Sequence, residues 1–406
     1  MDDGVRRRLL TTVAAVLGVA LLVAPASGVA SASPSPSASA DASGSVRVEA
    51  AADADVRDAA AAQVAAMTLE QKAASVVMGH VPTKDVDDLR AYMSTSGIGG
   101  FILMGSNVPG REAALRRITQ ALTIDPAFPP LIAIDEEGGD VTRLPWDRLP
   151  SALTLKASAP EAARDAFLAR GALVQRAGIG VNFGLVADVP EDSGGFIHRR
   201  ALGTSPEGAA ARVTAALEGE RGQALSTLKH FPGHGAASGD SHALIPTTSL
   251  SLADWRVTDA VPFAAGLDAG APILMFGHLR YSAVDRAPAS LSAKWHAIAR
   301  DELGFTGVSI TDDLGMLEAT GNAAYDDPVK NAVAAIAAGN DMVLSIMFTT
   351  ARSAPRTAAG IAAAVREGTL PQARLDEAAT RVAELRLVTA AAGRGLVPCT
   401  DCAPVG

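Results

Sequence analysis

Three of the chain's seven histidines fall within thirteen residues, in Lys229-His230-Phe231-Pro232-Gly233-His234-Gly235 followed by Asp240-Ser241-His242. His230 and His234 stand four apart, a spacing that binds zinc when it lies on a helix. Pro232-Gly233 between them breaks any helix, so no metal or other cofactor is expected. Ser241 suggests a Ser-His-Asp triad, yet an extended segment would point it away from both neighbours. Asp240 and His242, two apart, would share one side of such a segment and could hydrogen-bond. A carboxylate in that position fixes the imidazole tautomer and favours its protonated form, while the ring titrates near neutral pH. His242 is therefore a candidate proton donor to a leaving oxygen and, afterwards, a base toward water. The bland alternative is a polar loop with incidental histidines. An acid of this kind needs a nucleophile, and Asp312 follows directly on an apolar run. Asp313 beside it is the expected N-cap of the next helix.

Short apolar runs that could place these groups recur along the chain, at residues 100–104, 131–134, 180–183, 226–229, 272–276, 307–311 and 341–344. Between them lie Ala-rich stretches with helical spacing, such as residues 161–177 and 209–224. Continuous apolar strands alternating with helices indicate a parallel sheet buried on both faces. Seven strands and one weaker candidate predict an α/β fold of the (β/α)8 barrel type in a single domain. A doubly wound open sheet is the alternative, weakened because no Gly-rich dinucleotide fingerprint follows an early strand. Polar residues follow the runs at one phase: Asp135-Glu136-Glu137-Gly138-Gly139, Lys229-His230 and Asp312-Asp313. In a barrel these strand ends converge on one mouth and share a site.

Arg6, Arg7 and Arg8 precede an apolar stretch from Leu9 and the small-residue site Ala30-Ser31-Ala32, the pattern of a cleaved secretory signal over residues 1–32. An uncleaved membrane anchor is the rival reading. Residues 33–50, rich in Ser, Ala and Pro, read as a disordered tether; residues 51–395 as the catalytic domain; and residues 396–406 as a tail. Loss of the first 32 residues removes three Arg and two Asp, moving the net charge from −9 to −10. An acidic chain without a basic run is a poor partner for nucleic acid or anionic membranes. With 4% aromatic residues it lacks the platforms for long polysaccharides, and a small sugar fits better. A secreted monomer without stable membrane insertion is expected. Cys399 and Cys402, in the tail, read as a small-loop disulfide in an oxidising compartment, with a redox or metal pair as alternatives.

Taken in order, these segments resemble glycoside hydrolase family 3, in its bacterial β-N-acetylglucosaminidase branch, over about residues 65–350. The resemblance runs through Met67-Thr68-Leu69-Glu70-Gln71-Lys72, Gly97–Leu103, Ile134-Asp135-Glu136-Glu137-Gly138-Gly139 through Arg143, Asn182-Phe183 through Asp188-Val189, and Arg200-Ala201-Leu202-Gly203. Its most specific pieces are the Lys229–Gly235 segment with Asp240-Ser241-His242, and Thr311-Asp312-Asp313-Leu314-Gly315-Met316. It implies that Asp312 attacks the anomeric carbon and that His242, oriented by Asp240, serves as acid/base in place of a second carboxylate. Asp135, Arg143, Arg200, Lys229 and His230 match positions that hold the terminal sugar. Only 94 residues follow Asp312, so the acid is expected from the barrel itself. Three departures stand out: Asp140 where the family usually has Arg, Glu136 for a common Gln, and Ala236-Ala237 for a polar pair. The implied activity is release of terminal β-linked N-acetylglucosamine from wall fragments or chitin oligomers. A phosphorylase using the same intermediate, or a non-catalytic sugar-binding protein, are the alternatives.

Overall fold

The computed structural model describes the backbone of residues 42–391 and the side chains of residues 54–390. The expected leader, residues 33–41 of the tether and the cysteine-bearing tail lie outside the described residues. The chain divides into two units between residues 48 and 49. Of the first, the described part is residues 42–48, the opening of helix Ala42–Ala65. That helix starts within the segment read as a tether. Among the described residues no helix is long and apolar enough to cross a membrane.

Eight strands of the second unit form a closed barrel: β1 Val77–Gly79, β2 Gly100–Leu103, β3 Leu131–Ile134, β4 Val181–Val186, β5 Leu225–Phe231, β6 Ile273–Phe276, β7 Val308–Asp313 and β8 Met342–Leu344. Every neighbouring pair is parallel, and β1 closes the ring on β8 through Val77 opposite Val343. The expected barrel forms rather than the open sheet. Its eighth strand is the three-residue β1, too short to stand out as an apolar run.

Alternation along each strand sorts side chains between two environments. Leu131, Ala133, Val181, Phe183, Ile273, Met275, Val308 and Ile310 pack together inside the barrel. Their neighbours Ile132, Ile134, Leu274 and Phe276 face outward into the helical layer. Helices Pro160–Arg176 and Pro206–Glu220 cover this outer face and fall close to the predicted stretches. Proline in the first turn of each starts the helix without losing a hydrogen bond. Thr68 and Gln71 form a reciprocal cap on helix Leu69–Ser75, which fixes the chain just before β1.

Candidate active site at the barrel mouth

Strand phase aims the chemistry. Counting by twos from the interior residues Leu131/Ala133 and Val308/Ile310 arrives at Asp135 and Asp312. Lys229 stands in the same phase as the interior residue Leu225. Asp312, the penultimate residue of β7, accepts the backbone N–H of Asp313 at 2.8 Å. Burial pushes its carboxyl up; His230 and His278 oppose this when they carry charge, that N–H and the Lys229 cation oppose it throughout, and the carboxyl lies below the ordinary value. It is thus a desolvated carboxylate that stays ionised.

Around it runs a ring of opposite charges. Lys229 Nζ donates to Asp135 Oδ1 at 2.9 Å and lies 2.6 Å from Glu137 Oε1. Arg200 grips Glu137 with two bonds of 2.7 and 2.9 Å, and Arg143 approaches Asp135 at 3.6 Å. Burial raises both Asp135 and Glu137, yet the neighbouring Lys229 leads a set of cations that holds each below its usual range.

His230 shows its own tautomer. Nε2 lies 3.3 Å from Arg200 Nη2, and a guanidinium can only donate, so Nε2 accepts. The ring proton therefore sits on Nδ1, facing Asp188 Oδ2 at 2.7 Å. Burial, reinforced by Arg200, drives the imidazole well below its ordinary value, so this contact joins a neutral ring to Asp188. Asp188 Oδ1 also takes the backbone N–H groups of His230 and His234, at 3.2 and 2.6 Å.

The loop after β5 carries the proposed acid. Gly233 adopts φ +129°, and a Cβ there would come within 2.7 Å of Asp259 Oδ1. At Gly235 a Cβ would meet the Val189 carbonyl oxygen at 2.0 Å, so the loop lies directly on the segment after β4. The expected Asp240–His242 pair forms, though not from an extended segment. Residues 240–243 make a turn, and Asp240 Oδ1 accepts both the backbone N–H of His242 at 3.0 Å and its Nδ1 at 2.7 Å. The two side chains are half-exposed. Burial raises the Asp240 carboxyl, but the His242 N–H and ring together hold it below its usual value. Ser241 turns away from the pair and meets buried His234 Nε2 at 3.0 Å. The N-cap of helix Gly315–Ala319 is Leu314 rather than the expected Asp313, whose carboxylate instead accepts the N–H groups of Gly315, Ile346 and Met347. It therefore ties the loop after β8 to the end of β7.

A cavity of about 220 Å³ is lined by Asp135, Arg143, Arg200, Lys229, His230, His242 and Asp312 together. Of the candidate catalytic and sugar-binding residues, Asp240 alone does not line it. Glu137 and Asp188 were not among them, although Glu137 anchors two cations and Asp188 fixes His230. Glu137 could have been found from the Asp-Glu-Glu run after β3. Among the described residues no group of three or more His, Cys, Asp and Glu is arranged to hold a metal ion.

An ionised carboxylate and an imidazole from different strand ends thus meet in one polar cavity at the barrel mouth, an arrangement a glycoside hydrolase can use. Residues 68–385 match the family model described as the glycosyl hydrolase family 3 N terminal domain, and the chain belongs to that family. A beta-hexosaminidase of Chromobacterium violaceum is 38% identical over 267 residues, covering 63% of this chain and 73% of that one. The solved family 3 beta-N-acetylglucosaminidase of Paenibacillus sp. superposes with a TM-score of 0.73 at 29% identity over 80% of this chain, and the match spans 63% of that protein. The beta-N-acetylhexosaminidase of Beutenbergia cavernae gives 0.70 at 28% identity, covering 78% of this chain and 97% of that one.

Proposed function

We propose that this chain is an exported, retaining exo-β-N-acetylglucosaminidase with Asp312 as nucleophile and His242, oriented by Asp240, as acid/base. The observation that carries the reading is that Asp312 and His242 line one cavity with five charged or polar groups suited to a single sugar. In the first step Asp312 forms a bond to the anomeric carbon as the glycosidic bond breaks, and His242 gives its proton to the departing oxygen. Asp240, bonded to Nδ1 at 2.7 Å, fixes the ring so that Nε2 carries the transferred proton. In the second step neutral His242 takes a proton from water, whose oxygen displaces Asp312 and releases the sugar. Asp135, Arg143, Arg200, Lys229 and His230 bind hydroxyl and acetamido groups, and such buried polar groups penalise a substrate that leaves one unpaired. The names of the relatives support N-acetylhexosamine as the sugar, and the basic-apolar-small start of the chain supports action outside the membrane on wall fragments or chitin oligomers.

A panel of chromogenic β-glycosides tests this, assayed with and without phosphate. The N-acetylglucosaminide is expected to be cleaved far faster than the glucoside, at a rate independent of phosphate. Equal activity on the glucoside contradicts the sugar assignment, and phosphate-dependent turnover shows a phosphorylase. Recovery of the activity from the culture fluid rather than the cytosol tests export.

A further inference from the structure

Phe196, on the loop after β4, is one of two exposed phenylalanines among the described residues, with 37% of its surface accessible. The aromatic ring nevertheless has three partners. The Arg200 guanidinium lies 4.8 Å over its centroid. The rings of His242 and His234 meet it edge to face, with centroids 5.8 and 5.6 Å away. Phe196 lines the sugar cavity and also a neighbouring recess of about 120 Å³, between residues 190–198 and the loop that carries Asp240 and His242. Held between Arg200 and His242, it sits on a fixed platform rather than a loose loop tip.

We propose that Phe196 forms the leaving-group wall of the site and selects aglycones that present a ring, a second sugar or an aromatic group, to pack against it. The inference rests on the reading of His242 as acid/base. The atom that His242 protonates is the oxygen joining sugar to aglycone, so a ring in contact with His242 borders the first atoms of the leaving group. Large rigid side chains with exposed apolar surface give contact area at low entropic cost, and a pyranose presents a C–H face to them. The chain has few aromatic residues, which makes one beside the acid/base a selective feature rather than part of a long binding track.

Three N-acetylglucosamine substrates separate the possibilities: the β-1,4 disaccharide, the methyl β-glycoside and the β-fluoride. The first two need a proton on the leaving oxygen, and only the first has a ring there; the fluoride needs neither. Phe196→Ala is expected to lower the disaccharide-to-methyl ratio of kcat/KM about tenfold, and Phe196→Trp, with the adjacent recess to take the larger ring, to restore it. If disaccharide and methyl glycoside fall together relative to the fluoride, Phe196 only positions His242 and the proposal is overturned. An unchanged ratio overturns it as well. A wild-type enzyme inactive on all three overturns the assigned function and this inference with it, whereas an active one with a ratio insensitive to Phe196 overturns the inference alone.

Discussion

Glu136 lies under the loop that presents Arg143, and its Oε2 accepts the backbone N–H groups of Arg143 and Leu144 at 2.9 and 2.8 Å. Burial, opposed by the Leu144 N–H but helped by Asp147, pushes its carboxyl from 4.5 to about 8. A group that holds its proton more tightly folded than unfolded contributes stability that is complete below the unfolded value and lost as pH rises through the folded one. Wild-type melting temperature should therefore fall between about pH 5 and pH 8. Glu136→Gln keeps the acceptor and removes the titration, so its melting temperature should fall less over that range. Parallel profiles from calorimetry would show that Glu136 does not titrate there. Asp140, the other charged departure, is simply paired with Arg199 at 2.6 Å on the surface. Such an exposed pair contributes little to stability.

At the level of elements, β5 and its loop set the acid against the nucleophile, and Gly235 decides how closely that loop lies on the segment after β4. Gly235→Ala should displace the loop, lowering stability by about 1–3 kcal/mol and kcat by more than tenfold, with KM less affected. Wild-type kinetics in this variant would show that the loop position is not set there. Asp135, Lys229 and Asp312 were legible in the sequence because strand alternation and the abrupt change from apolar to charged mark both phase and end. Asp188 was not. The register of β4 against β5 shifts between Asn182 and Leu185, so counting by twos from Val181 and Phe183 gives the wrong face. The Asp240–His242 contact was expected for the right pair but from the wrong backbone, since a carboxylate can close on a residue two ahead through a turn as readily as along a strand.

Across the whole molecule the two ends of the barrel divide the labour between stability and chemistry. Just before β8, fully buried Asp341 receives Arg300, Arg374 and Arg381 at 2.5, 2.6 and 3.0 Å. It links the strand to the helices outside, far in sequence from Asp240 and His242. Asp341→Ala would leave three guanidinium groups short of a partner and should destabilise by about 3–5 kcal/mol, while kcat below the transition stays near wild type. An unchanged melting temperature would remove Asp341 from the account of stability. The opposite end carries the central claim, that Asp312 and His242 play separate roles in one reaction, the first as nucleophile and the second as acid/base. Asp312→Ala should abolish turnover of every substrate, because no glycosyl-enzyme can form. His242→Ala provides the direct measurement, by stopped-flow comparison of a dinitrophenyl and an alkyl N-acetylglucosaminide. Cleavage of the alkyl glycoside should fall by roughly two to four orders of magnitude. The dinitrophenyl substrate should give a burst of one equivalent followed by slow turnover, as the intermediate accumulates for want of a base. Equal losses on both substrates with no burst would contradict the assignment of His242 and, with it, the division of the reaction between the two residues.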